Sequence, residues 1–251
     1  MHDCLSGMTG GYMEKIGKKP VGHGRLIYEN KLACAQDIEN FRLEGSAWIT
    51  FPNGRMRMEN AKEPSLGQKA NYVLWCMEVF PEDIWIEWDF YPLREPGLCM
   101  MFFAAKGRQG EDLFDGNLAE RTGEYPQYHH GDIDAFHVSY FRRKEPDERA
   151  FHTCNLRKSY GFHLVAQGAD PIPDAGETGD AYRIAVLHRR GGVTFFINGL
   201  EIFHFADDGV TYGPRLGAGR IGFRQLAPMV GEYANLKVYA IKEDENEENV
   251  L

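Results

Sequence analysis

Residues 124 to 171, EYPQYHHGDIDAFHVSYFRRKEPDERAFHTCNLRKSYGFHLVAQGADP, gather the side chains best able to move protons or hold anions. Five of the nine histidines fall there (His129, His130, His137, His152 and His163), with Arg142, Arg143, Arg149, Arg157, Lys144 and Lys158. The chain as a whole is acidic: 28 Lys and Arg against 37 Asp and Glu give −9 with neutral histidine. Cations concentrated in one segment of an acidic chain suit an anionic or polyhydroxyl ligand. Imidazole titrates near neutral pH, which makes His137 a candidate proton carrier. Arg143, Asn155 and Arg157 are candidates for steadying a carboxylate or an oxyanion. Strand alternation sorts them, with His137, Ser139, Phe141 and Arg143 on one face of 136–143 and Thr153, Asn155 and Arg157 on one face of 151–158. Tyr140 and Arg142 replace them if the register slips by one residue.

Two reactions compete for these groups. A retaining glycosidase needs two carboxylates about 5–5.5 Å apart. The strand pattern Glu-x-Asp-x-x-Glu begins at Glu87-x-Asp89, but Pro92 or Leu93 stands where the last acid is needed. β-Elimination next to a uronate carboxylate needs a base and cations, and His, Tyr and Arg are the residue types required. Plainer readings stand beside each motif. Arg142-Arg143-Lys144, followed by Asp147 and Glu148, also reads as a salt-bridged hairpin end. His129-His130-x-Asp132 has metal-ligand chemistry but no defined metal spacing, so surface histidines are the favoured reading. Asp112-x-x-Asp115-Gly116-Asn117 reads as a turn rather than a calcium loop. Trp75, Trp85 and Trp88 are sugar platforms or core, with core favoured for at least two. No metal and no cofactor is called for.

The elements that must position these residues are short runs rich in aromatic and β-branched residues, broken by Gly, Pro, Asn and Asp. That is the pattern of an all-β sandwich. Tyr182 to Phe205 reads as a three-stranded meander, turned at Gly191-Gly192 and at Asn198-Gly199. About fourteen strands follow from the whole chain, with one short helix expected over 111–121. They suggest two curved antiparallel sheets, a large jelly roll spanning 25–241 as one domain. Residues 1–24 read as a flexible lead-in and 242–251 as an acidic tail. No run of about 18 apolar residues occurs, so no transmembrane helix is expected. The acidic balance disfavours nucleic acid. Five scattered cysteines without CxxC spacing, and no signal-peptide apolar stretch, favour the cytoplasm.

Three long strings, WDFYPLREPGLCMMFFAAKGRQGEDLFD, RTGEYPQYHHGDIDAFHVSYFRRKEPDERAFHTCNLRKSYGFHLVAQGADP and FFINGLEIFHFADDGVTYGPRLGAGRIGFRQLAPM, resemble the bacterial YesU-like family, domain-of-unknown-function family 1961. The resemblance covers about residues 25 to 240, and the lead-in departs from it. It implies a concanavalin A-like lectin/glucanase sandwich and a link to rhamnogalacturonan utilisation, with no established catalytic residues. Its motif segments point to His130, Asp132, His137, Tyr140, Arg142, Arg143, Arg149, Asn155, Arg157 and His163. The expectation is a carbohydrate-active protein for acidic, pectic-type oligosaccharides, a lyase or hydrolase. His137 and Tyr140 are its catalytic candidates, and His130, Asp132, Arg142, Arg143, Asn155, Arg157 and His163 its substrate-binding candidates. The rivals are a non-catalytic sugar-binding module, or a structural protein whose sandwich edge makes a homo-oligomer. No membrane partner is expected.

Overall fold

Apolar residues at every second position force one face of each strand inward. Along Ile84–Arg94, Ile86, Trp88 and Phe90 are fully buried in the common core, and Trp85, Glu87, Asp89 and Tyr91 share the opposite face. The computed structural model describes residues 24–241; the expected lead-in up to residue 23 and the tail from 242 lie outside the described residues.

Fifteen strands are present among them: β1 (Arg25–Asn30), β2 (Phe41–Gly45), β3 (Ala47–Thr50), β4 (Met56–Asn60), β5 (Tyr72–Cys76), β6 (Ile84–Arg94), β7 (Leu98–Gly107), β8 (Ile133–Tyr140), β9 (Thr153–Ser159), β10 (His163–Ala169), β11 (Tyr182–Arg189), β12 (Gly192–Ile197), β13 (Leu200–Ala206), β14 (Arg220–Leu226) and β15 (Val230–Ala240). Two single-turn helices, α1 (Pro126–His129) and α2 (Pro146–Phe151), sit in connections. The first sheet runs β13-β12-β11-β6-β15-β4-β3, with β1 also on β15. The second runs β10-β9-β8-β7-β14-β5-β2. All pairings are antiparallel. The core between the sheets is aromatic and aliphatic, with Trp88 Nε1 donating to the Tyr140 hydroxyl at 3.0 Å as a buried polar pair. The fold is the all-β jelly-roll sandwich of the concanavalin A-like type.

The meander β11-β12-β13 forms as expected, and Asn198 and Gly199 both take positive φ (51° and 77°), as a type I′ turn demands. The other turn lies one residue earlier than Gly191-Gly192: Arg190 and Gly191 carry the positive φ values, 51° and 76°. β2, with the sequence FRLEG, is a strand that the pattern reading omits. The helix expected over 111–121 is absent. Asp112 and Asp115 accept the amides of Phe114 and Asn117 at 2.9 Å, and these local turns take the backbone away from helix. The Asp112–Asn117 motif is therefore a turn.

Candidate functional site

The second sheet has a grid of side chains on its outer face. On β9 these are Thr153, Asn155 and Arg157; on β8, Ala135, His137 and Ser139. Across the ladder, Arg157 pairs with His137, His137 with Phe102, Phe102 with Gly222 and Gly222 with Trp75. The next row is Asn155, Ser139, Met100, Arg224 and Val73. Gly222 has a packing reason: a Cβ there would lie 2.4 Å from Cε3 of Trp75.

The connection from β7 to β8, with α1 inside it, folds over half of this face. Leu113 and Tyr128 join Val73, Trp75, Phe102 and Ala135 in a second apolar cluster. Glu44 on β2 anchors the connection, accepting from Trp75 Nε1 (2.9 Å), the Tyr128 hydroxyl (2.8 Å) and Arg121 (2.8 Å). Where the wall stops, over β9, β8, β7 and β14, partly exposed side chains border buried polar ones, and this group of residues is the hollow. Its floor holds His137, Ser139, Asn155, Met100 and Arg224, all buried. Its sides hold Arg142, Arg157, Phe162 and Tyr125, all partly exposed.

Tyr125 is the centre of the arrangement. Its hydroxyl lies 2.7 Å from His137 Nε2. Its ring covers Arg224, whose guanidinium carbon is 5.1 Å from the ring centroid. Arg224 is fully buried and bonds Gly123 O at 2.7 Å, yet its Nε and Nη2 have no partner. Arg157 stacks on Phe162 at 3.8 Å and donates to Phe162 O at 2.9 Å. Arg142 donates to Thr153 Oγ1 at 2.7 Å and to Glu148 at 2.5 Å. The nearby carboxylates are therefore engaged elsewhere: Glu148 by Arg142 and the amides of Lys144 and Glu145, Glu44 by the wall. The outward positions of β9, β8, β7 and β14 carry no Asp or Glu.

These surroundings set the protonation states. Burial pushes His137 well below the ordinary imidazole range, and Arg157, His129 and Arg224 push the same way. Burial raises the Tyr125 phenol, against the pull of Arg224, Arg157 and Arg142. At neutral pH the pair is thus a neutral imidazole beside a neutral phenol. Burial also lowers Arg224 and Arg157, marking both as poorly solvated cations.

The hollow brings together His137, Asn155, Arg157 and Arg142 of the sequence candidates. It does not include six others. Tyr140 faces the core between the sheets, fully buried against Trp88 and Phe90, because it falls on the inward parity of β8. Arg143 is not co-facial with His137: β8 ends at Tyr140, and Phe141 takes φ 48°, which breaks the alternation. Its buried guanidinium instead bonds Ile172 O (2.6 Å), Asp170 and Asp174. Asp132 accepts the Ala119 amide at 2.8 Å, and Arg149 caps the carbonyls of Arg143 and Lys144. His130 is exposed against Tyr160 and His129, and His163 stacks on Tyr212 at 5.2 Å beyond the hollow. Among the described residues no group of three His, Cys, Asp or Glu side chains is placed to hold a metal.

Sequence reasoning missed Tyr125 and Arg224. Parity along RIGFRQL was the available signal for Arg224, since Ile221 and Phe223 enter the core and Arg224 must face outward. All three tryptophans in question are buried: Trp88 in the core, Trp75 under the wall, and Trp85 on the outer face of the first sheet against Phe196. Trp48, on the edge strand β3, is 65 % exposed.

A two-sheet jelly roll with a polar hollow on one outer face defines the class of this protein. The chain belongs to the family described as Domain of unknown function (DUF1961), which matches residues 25–238. The uncharacterized protein YesU of Bacillus subtilis (strain 168) is 50 % identical over 216 residues, which is 86 % of this chain and 96 % of YesU. A Bacillus subtilis protein of unknown function with a galectin-like fold superposes with a TM-score of 0.84 at 48 % identity, covering 88 % of this chain and 99 % of its own. The kappa-carrageenase of Pseudoalteromonas carrageenovora, in complex with an oligotetrasaccharide of kappa-carrageenan, superposes with a TM-score of 0.56 at 12 % identity, covering 91 % and 99 %. At that identity the likeness is one of fold.

Proposed function

We propose that the hollow binds a saccharide through a uronate carboxylate and cleaves the chain there by β-elimination. The observation that carries this reading is Arg224: a buried guanidinium with Nε and Nη2 unpartnered, which acts with Arg157 and Arg142 on the same Tyr125 hydroxyl and is in no salt bridge. A buried, uncompensated cation is costly unless a ligand completes it. The carrageenase complex supports a saccharide on this fold.

Elimination uses the groups at hand. The guanidinium groups take up the carboxylate charge and so acidify the C5 proton of the uronate. Tyr125 passes its own proton to His137 Nε2 as its oxygen takes the C5 proton. The C5–H electron pair becomes the C4=C5 double bond and the C4–O bond breaks. The leaving oxygen takes a proton from Tyr125, and His137 returns the one it holds. Hydrolysis by paired carboxylates fits less well. Glu87 and Asp89 lie on the first sheet, bonded to Trp85 Nε1 (2.8 Å) and to Arg183 (2.6 Å). The burial that keeps Tyr125 protonated favours a second reading, a carboxylate-specific binding module without chemistry. Pectic specificity, cytoplasmic location and self-association are parts of the proposal that rest on the sequence alone.

Incubation with a panel of uronate oligosaccharides separates these readings. Ultraviolet absorbance from an unsaturated uronate product marks elimination. New reducing ends without it mark hydrolysis, and binding without either marks the module. No binding to any acidic saccharide overturns the proposal.

A further inference from the structure

The turn from β9 to β10 has two sides. Arg157 and Phe162 face the hollow, and Tyr160 and His163 line a separate cavity of about 290 Å³ with Arg108, Asp134, Lys158 and Tyr212. Two features distinguish this cavity from the hollow. The first is charge balance. Lys158 Nζ is held by Asp207 Oδ2 at 2.6 Å and by Gly213 O at 3.0 Å, and Arg108 acts electrostatically on Asp134, which lines the same cavity. Each lining cation therefore has an acid to offset it, whereas the hollow has a surplus of guanidinium. The second is a mixed set of donors, acceptors and rings. Asp134 Oδ1 accepts the Tyr160 amide at 3.0 Å, which leaves Oδ2 to accept a hydroxyl. Arg108 lies on the Tyr160 ring at 3.9 Å, and Tyr212 presents its ring beside Thr211. Paired hydroxyl partners with aromatic rings are what a sugar ring requires, and the volume lies at the small end of ligand pockets.

We infer that this cavity is a second saccharide subsite, specific for a neutral pyranose unit of the same chain whose acidic unit occupies the hollow. The chain-spanning part rests on the reading of the hollow given above; the neutral subsite itself does not. A row of rings connects the two places: Tyr125 against His129 at 4.7 Å, His129 against Phe162 at 4.4 Å and against His130 at 4.5 Å, and His130 against Tyr160 at 5.6 Å. The sequence candidates His130 and His163 belong to this second place rather than to the first.

An assigned amide NMR spectrum of the full chain tests both sites at once. The probes are galacturonate and the methyl pyranosides of galactose, glucose and mannose. Galacturonate is expected to move the amides of Tyr125 and Arg157. At least one methyl pyranoside is expected to move those of Tyr160, His163 and residues 211–213. Tyr212→Ala and Asp134→Asn are each expected to weaken that neutral sugar at least tenfold, with the galacturonate response unchanged. Cavity amides that no neutral pyranoside moves, or an affinity that survives in both variants, overturn the subsite. Shifts confined to the cavity overturn the hollow reading and the chain that spans them, while supporting the neutral subsite.

Discussion

Arg224→Met separates function from stability. It removes a buried cation that no salt bridge neutralises, together with its bond to Gly123 O, and methionine fills the space beside the Tyr125 and Tyr128 rings. Replacing an uncompensated buried charge by a hydrophobe of similar volume is neutral or stabilising. Galacturonate oligosaccharide affinity is expected to fall at least tenfold by calorimetry, while Tm holds or rises. A drop in Tm with unchanged affinity would assign Arg224 to structure alone. Tyr125→Phe removes only the hydroxyl bonded to His137. Turnover is expected to fall by about 10²-fold or more, as for loss of a general acid–base group, with affinity little changed. Equal loss of affinity and turnover would place the hydroxyl in binding. At this scale the sequence was partly readable. Alternation alone made His137, Ser139, Asn155 and Arg157 co-facial, and so they are. Arg143 escaped because one left-handed residue, Phe141, ends the period of two. Tyr125 escaped because it enters the site from the cap position before a single-turn helix, with no periodicity to read.

The decisive element is the connection from β7 to β8, which carries Tyr125 across the sheet. Gly123 fixes its landing point: its φ is +97°, and a Cβ would lie 2.2 Å from Asn71 O. Gly123 O also receives the one hydrogen bond of Arg224 to the wall. Gly123→Ala is expected to cost more than about 1 kcal/mol in chemical denaturation and to lower saccharide affinity with it. Retained affinity would show that Tyr125 is positioned from elsewhere. Strands were legible because alternation and Asn-Gly turns are local signals, and β11-β12-β13 is the clearest case. This connection was not, because its form comes from Asp112 and Asp115 bonding their own backbone and from Glu44, far away in sequence.

The molecule as a whole should be acid-sensitive. His188 is fully buried between Phe103 and Phe136, and burial lowers it from 6.5 to about 4. A depressed histidine binds its proton in the unfolded chain first, so stability is full above pH 6.5 and lost as pH falls toward 4. His188 should contribute about 1 to 2 kcal/mol of loss between pH 7 and pH 5, and His137 shifts in the same direction. Denaturation of the His188→Phe variant at both pH values should show a shallower loss; an identical slope would remove His188 from the account. At this scale the sandwich was readable from the count and spacing of short strands. The way half of one outer face is sealed was not, since strand patterns do not report what lies on top of a sheet.

That seal bears on which end of a polymer could be processed. With Leu113 and Tyr128 seated over Trp75 and Phe102, no ligand can cross the sheet from β9 to β2. A chain threaded into the hollow would meet a dead end and present its terminus to Tyr125, so such a protein would trim units one by one and leave blocked or circular substrates intact.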